Sequence, residues 1–447
     1  MIMDSDLIKK IDEYIEEHKK DIIADLRKVV EIPSVAGDAE GDAPYGIECL
    51  EILRESLRLF QNAGYSGRLA KSNKYAVMEY GKGNKTIGIF AHGDVVEAKG
   101  EWLYSEPFKL TERDGYLIGR GCCDDKCGII EMLYAAKIID AIGLPFEHKI
   151  IFYVGGSEES GMHDLEDFIK NEPMPDISLV IDGEYPYYKS EKSRLCLMLE
   201  NVKSFENIKN ISGGEAANVV LDRLKVEYKN GKTEAIAGIA GHAAYPEDTE
   251  NAIVKFAKNA EYNENLTGTD RKILKEAYEI LSDYNGKGLG IAGFSNGFKA
   301  LTAANGIVRT NDGHLAVSLD IRCGLVAKED IINAIIKETN GAWKVTETFY
   351  SEGYVTDEGS PEALAVKGVY NTLFGACDGM ETGGATYARQ LKNAFCIATD
   401  IRYPDTPKYF PEGHGNIHGP DEAMTVKGFL DAIKALTLMI IELDTTL

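Results

Sequence analysis

A chain of 447 residues exceeds what one ordinary hydrophobic core encloses, so two domains are expected. Hydrophobic residues at 44% and charged residues at 27% describe a folded globular protein and exclude an intrinsically disordered one. The excess of 72 acidic over 49 basic side chains leaves a charge of −23, a field that repels phosphate backbones and anionic lipid, so neither nucleic acid nor a membrane surface is an expected partner.

No apolar run approaches the ~20 residues of a membrane span. The N-terminal stretch is charged from Asp4 onward and lacks the apolar core of a signal peptide. Eight cysteines, three of them in "GCCDDKCG", do not have the spacing of a secreted disulfide framework. Reduced thiols and a cytoplasmic location are expected.

In chain order, apolar residues first recur at helical spacing over residues 7–30 (Leu7, Ile11, Ile15, then Ile22, Leu26, Val29). This pattern predicts an amphipathic helix with a break or kink near His18. Next come "TIGIFA" (86–91), "KIIFYVGG" (149–156) and "SLVIDG" (178–183), which read as buried strands. "KCGIIEMLYAAKIIDAI" (126–142) reads as the helix between the first two. Near-continuous apolar strands alternating with helices predict a parallel or mixed sheet covered on both faces.

Past about Tyr188 the texture changes. "VVLDRLKVEYK", "TEAIAGIAG" and "HLAVSLDIRC" alternate like strands, and "NAIVKFAKNA" and "KEDIINAIIKET" have helical periodicity, the pattern of a smaller α+β unit. From about Gly359 the chain returns to a helix ("PEALAVKGVYNTLF"), a glycine-rich turn ("GGATYAR") and a closing helix over residues 421–443.

Polar residues gather at the ends of the predicted strands. His92 and Asp94 follow the first, Glu158 and Glu159 the second, and Asp182 ends the third; Asp124 and Asp125 precede a helix start. In open α/β sheets, ligands bind beyond the carboxyl ends of the strands. Singly, such residues are more often a structural histidine, a solvated helix start or a turn. Together they crowd carboxylates that repel unless a cation neutralises them. Histidine with carboxylates and no obligatory thiolate suits zinc, manganese or cobalt. Cys122, Cys123 and Cys127 lack a second ligand pair at zinc-finger distance and read as buried packing beside the site, with a redox role for the first two left open.

The ordered set "HGD…W…PF…GYLIGRGCCDDKCG", "EES", "DGEYP", "AGHAAYPED", "GGATYAR" and "HGPDE" resembles the co-catalytic zinc peptidases, a family that includes PepV-type dipeptidases, carnosinases, aminoacylases and succinyl-diaminopimelate desuccinylases. The resemblance runs from about residue 5 to residue 440, and "DGEYP" and "TYAR" look most like the PepV-type members. It implies an α/β catalytic domain with a mixed sheet flanked by helices, over 1–187 and 358–447, and an inserted α+β lid over 188–357. It also implies two divalent metal ions per chain, zinc with manganese or cobalt as alternatives: His92 and Asp182 on one, Glu159 and His418 on the other, and Asp124 bridging. Asp94 would then support His92 by a hydrogen bond that fixes its tautomer. Glu158 would be the general base. In the lid, His242 would stabilise the oxyanion and Asn218 and Arg322 would contact substrate, Arg322 through its terminal carboxylate. Arg389 of "TYAR" is a further substrate-binding candidate. Read without the family, Arg322 alternates outward on its strand and is a surface residue.

The activity so implied is hydrolysis of dipeptides or short peptides with a free N-terminus, by a monomer or weak homodimer. Alternatives are a deacylase of N-acyl amino acids with the same site, or a non-catalytic metal-dependent binding protein. The sequence departs from the family in the thiols of "GCCDD", in Ala385 where a third glycine is common, and in a long stretch before His418 that holds a second histidine, His414. The spacing of "HGPDE" favours His418 as the ligand.

Overall fold

The structure is a computed structural model, and it describes residues 5–403 and 409–447; the rest of the N-terminal stretch and residues 404–408, within the long segment before His418, lie outside the described residues. The chain divides into two compact units: Met1–Lys189, Thr356–Met380 and Thr386–Leu447 form the first, and Ser190–Val355 with Glu381–Ala385 the second. The short return of Glu381–Ala385, within the glycine-rich turn, has no counterpart in the composition shifts along the chain.

Four apolar strands form the centre of the first unit's sheet in the order Lys149–Gly155, Thr86–His92, Ile177–Gly183, Ala394–Ala398, all parallel. Tyr75–Gly81 and then Ser66–Leu69 extend it antiparallel at one side. Alternation along the strand Lys149–Gly155 shows why it is apolar throughout. Phe152 packs on Phe60 of helix Ile47–Asn62, while the next residue, Tyr153, packs on Phe168 of helix His163–Asn171. Helix Lys126–Ile142 lies against helices Ser5–Val30 and Val426–Thr446, and these supply much of the core.

Two local expectations are corrected. The first helix, Ser5–Val30, is unbroken through His18. His18 ring-stacks on Tyr14 and its Nδ1 hydrogen-bonds the Tyr14 carbonyl, so the apparent break in apolar spacing marks a turn capped by a local contact. The closing helix begins at Val426, not at residue 421, because Ala423–Thr425 is drawn into a short strand paired with Tyr116–Ile118.

The second unit is α+β. A wholly antiparallel sheet runs Thr302–Ala304, His314–Cys323, Ser193–Ser204, Trp343–Ser351, with Val308–Asn311 also paired to His314–Cys323. A three-stranded sheet of Ile208–Ser212, Arg223–Tyr228 and Thr233–Ala237 accompanies helices Ala252–Lys258, Gly268–Leu281 and Lys328–Glu338. Among the described residues no helix is long and apolar enough to cross a membrane.

One core residue defies its surroundings. Glu131, inside helix Lys126–Ile142, is 0% exposed and neither carboxyl oxygen meets a hydrogen-bond partner among the described residues. Burial drives its pKa well above the usual carboxylate range, so it is folded as the neutral acid. The folded chain then keeps a proton that the unfolded chain releases above about pH 4.3, and stability from this group falls as pH rises. Glu131→Met should therefore stabilise the chain, by about 1–3 kcal/mol, and by more at pH 8 than at pH 5. Urea unfolding midpoints at the two pH values check this; a variant less stable than wild type at pH 8 would mean that the carboxyl group has a partner.

Candidate metal centre

Three of the four parallel strands deliver polar residues to one edge. His92 ends its strand, Ser157-Glu158-Glu159 follows Lys149–Gly155, and Asp182 sits at the penultimate position of Ile177–Gly183. Asp124 precedes helix Lys126–Ile142, and His418 comes from the loop before Ala423–Thr425. Of the residues singled out in sequence, the fold gathers these: one carboxylate oxygen or ring nitrogen from each of His92, Glu158 and Asp182 lies within 4.8 Å of the others, and so do those of His92, Asp124 and Glu159.

Asp124 lies between the two imidazoles. Its Oδ1 is 3.0 Å from His92 Nε2 and its Oδ2 is 2.9 Å from His418 Nε2. His418 Nε2 is also 2.8 Å from Glu159 Oε1, and Asp182 Oδ1 stands 4.0 Å from His92 Nε2. His414 is elsewhere employed: its Nδ1 bonds Asp421 Oδ2 at 2.6 Å, and Asp421 in turn accepts the N–H groups of Leu103 and Tyr104.

The donor set fits a divalent cation. Glu158 Oε1 is a buried polar atom without a hydrogen bond, a costly state unless something else meets it, and His92 Nε2 faces Asp124 Oδ1 at 3.0 Å without the alignment of a hydrogen bond. Burial, then the neighbouring Asp182 charge, pushes the Glu158 carboxyl well above its usual range; burial does the same to Asp182. Burial pulls the imidazole of His418 down, but Asp124 and Glu159 outweigh it and hold its pKa up at about 11. Positive charge is what this cluster lacks, and a proton on Nε2 occupies the position a metal ion would take.

Asp94 supports His92 differently from the expectation. Its backbone carbonyl, 2.8 Å away, accepts from His92 Nδ1, while its carboxylate is 3.6 Å from that nitrogen. That carboxylate instead accepts the N–H groups of Glu158 (3.0 Å) and Glu159 (3.1 Å). Asp164 takes the N–H of Ser157 at 3.1 Å and the hydroxyl of Tyr387 at 2.5 Å. Two buried carboxylates thus hold three successive backbone N–H groups and aim the two glutamates. Tyr387, in the "TYAR" stretch, reaches Asp164 because Gly155 has no side chain: a Cβ there would stand 2.0 Å from its hydroxyl. Arg389, two residues on, is half-buried in a short 3-10 turn, Tyr387–Gln390.

Cys122, Cys123 and Cys127 are each 0% exposed, and burial pushes all three thiols well above the usual range. They are inert packing, and the redox role has no support. Cys122, Cys123 and Cys127 form no disulfide.

In the second unit, the Ala243 N–H donates to the Asn218 carbonyl at 2.9 Å, which sets Asn218 beside His242. His242 is exposed, and its Nδ1 accepts from the Ala244 N–H at 3.3 Å, which leaves the ring proton on Nε2. Arg322 is not the outward residue that strand alternation suggests. It is 3% exposed, with Nε 2.6 Å from Asp320 Oδ1 and Nη1 2.5 Å from the Gly383 carbonyl.

Comparison with known proteins decides the family: residues 88–442 match the model of the peptidase family M20/M25/M40. The chain belongs to this family. It is a hydrolase of the metallopeptidase class, and its relatives agree. The Bacillus subtilis (strain 168) protein named "Putative dipeptidase YtjP" is 24% identical over 463 residues, covering 95% of this chain and 97% of that one. The fold is shared with human carnosine dipeptidase 1 (TM-score 0.59, 14% identity, 98% and 100% of the two chains). It is shared too with the di-peptidase Dug1p of Saccharomyces cerevisiae (0.62, 13%, 98% and 98%) and with YXEP of Bacillus subtilis, described as a dinuclear metal-binding peptidase of family M20 (0.58, 10%, 97% and 100%).

Because Asp94 holds both glutamate N–H groups, Asp94→Ala should weaken divalent metal binding about 10- to 100-fold with little effect on the far side of the sheet. Calorimetric titration of the chelator-stripped chain with zinc measures this, and unaltered affinity would show that the turn holds itself.

Proposed function

We propose that this M20-family chain hydrolyses dipeptides, or short peptides with a free N-terminus, at a two-metal site. The observation that carries the reading is Asp124, whose two oxygens face the Nε2 atoms of two histidines at 3.0 and 2.9 Å, the disposition of a bridging ligand. His92 and Asp182 would hold one cation, Glu159 and His418 the other. Bound divalent cations, zinc by the donor chemistry, would supply Lewis-acid polarisation of the scissile carbonyl and lower the pKa of water at the site.

The chain's own part in the reaction falls to Glu158. Its carboxyl is buried, its backbone is held by Asp94 and its Oε1 has no hydrogen bond, so with cations answering the neighbouring charges it would be free to take a proton from the attacking water and return it to the leaving amine. For the second unit we assign oxyanion stabilisation to His242, through its Nε2 proton, and substrate recognition to Asn218, Arg322 and, from the first unit, Arg389. The relatives named as dipeptidases support the substrate class.

Exhaustive chelation should abolish peptide hydrolysis and added zinc, manganese or cobalt should restore it, with elemental analysis approaching two ions per chain. Glu158→Gln should keep metal and lose ~10²–10⁴-fold in turnover; Glu159→Gln should lose metal as well. Near-normal turnover in Glu158→Gln would move the base elsewhere.

Substrate class is tested by the termini. If Arg322 recognises the free carboxylate, amidating a good dipeptide should cost about 1.5–3 kcal/mol in kcat/KM, roughly 10- to 150-fold. Arg322→Ala should then impose a similar loss on the free acid and little more on the amide. Equal losses on acid and amide would instead make Arg322 a support for Asp320 and Gly383. Acetylated amino acids outperforming dipeptides would transfer the chain to the deacylases with metals and base unchanged.

A further inference from the structure

Arg120 and Glu422 form a salt bridge in which both side chains are 0% exposed. A fully buried ion pair stabilises a fold little more than apolar residues of the same volume, because both charges surrender their water. Neither residue carries a role in the chemistry above. Their contacts, however, converge on two of the metal-binding residues.

Glu422 Oε1 accepts three backbone N–H groups, from Gly121 (3.0 Å), Cys123 (3.1 Å) and Asp124 (3.1 Å), and so folds the loop that presents Asp124. Its other oxygen accepts from Arg120 Nη1. Arg120 Nη2 donates to the carbonyls of His418 (3.0 Å) and Gly419 (3.1 Å). His418 needs that grip. Its φ is +64° and that of Asp421 is +53°, left-handed conformations that cost a non-glycine residue about 1–2 kcal/mol each and persist only where the surroundings hold them. The Trp102 ring, 5.7 Å from the guanidinium, covers its face.

We propose that Arg120 and Glu422 are positioning residues: one carboxylate shapes the Asp124 loop, the guanidinium paired with it shapes the His418 loop, and together they set the separation of these two residues for the metal. This rests on the two-metal reading of the site. A rigid pair suits the task because a metal tolerates only a few tenths of an ångström in ligand position.

The test compares zinc affinity with fold stability in the full chain. In R120M/E422Q the amide oxygen can still accept N–H groups and no charge is left buried, yet the hold on the His418 and Gly419 carbonyls is gone. R120K keeps the charge and loses the forked grip. Calorimetry on chelator-stripped protein should show zinc affinity lowered about 10- to 100-fold in R120M/E422Q and by less in R120K. The urea midpoint of stripped R120M/E422Q should equal or exceed that of wild type. Wild-type affinity in R120M/E422Q overturns the proposal. So does a loss of affinity that appears only in variants whose metal-free midpoint has dropped in step, or failure of every variant to fold, since the pair would then be a fold element only. Wild-type protein that binds no zinc would refute the metal reading itself, before any variant is compared.

Discussion

Like charges crowded out of water are the constraint on which the first unit rests. Glu158, Glu159 and Asp182 at the ends of neighbouring strands meet Asp124 from the start of a helix, with His92 and His418 as counter-groups among the described residues. Burial, with the neighbouring carboxylates adding to it, pushes the Glu158 and Asp182 carboxyl groups well above their ordinary range. A sheet of four parallel strands, each ending at the same edge, can hold such an arrangement because its apolar interior is indifferent to what stands at the rim. The strands supply rigidity, and the loops beyond them supply the donors.

Much of this was legible in the chain. Strands buried on both faces are apolar throughout, so Thr86–His92, Lys149–Gly155 and Ile177–Gly183 stand out with nearly correct ends. Helix Lys126–Ile142 is bounded by Asp125 and by Gly143, whose φ of +70° ends it. Two further helices carry readable signals: Leu50, Leu53 and Phe60 mark a buried face in Ile47–Asn62, and Thr267 with Asp270 forms a capping box at the start of Gly268–Leu281. Strand Ser193–Ser204, central to the second unit's sheet, is obscured because Arg194, Glu200 and Asn201 interrupt its apolar alternation, the first two finding partners across the sheet and Asn201 finding Glu276 on helix Gly268–Leu281.

The candidate metal-site residues were legible for a related reason: an acid or imidazole directly after a buried strand is conspicuous. What holds them was not. Arg120, Asp164, Tyr387 and Glu422 act on backbone groups or on residues up to 302 positions away, and no periodicity reports such a contact. Asp94 illustrates the difference, since its place beside His92 suggested a side-chain bond to the ring, while its carboxylate serves the glutamate turn arriving from another strand.

At this rim hydrogen bonding also separates two kinds of acid, and the separation agrees with the candidate ligand set. Asp94 has two backbone N–H donors, Asp164 has the N–H groups of Ser157 and Leu165 with the Tyr387 hydroxyl, and Glu422 has three N–H groups with Arg120. Backbone N–H groups and, for Glu422, Arg120 occupy these oxygens, so these carboxylates have few lone pairs left to offer a cation. Asp124 and Glu159 meet imidazole nitrogens, and Glu158 keeps a buried oxygen that meets nothing. Only the second kind can gain by binding a metal ion. The first kind, made rigid by the backbone it holds, keeps the second from relaxing apart when no ion is there.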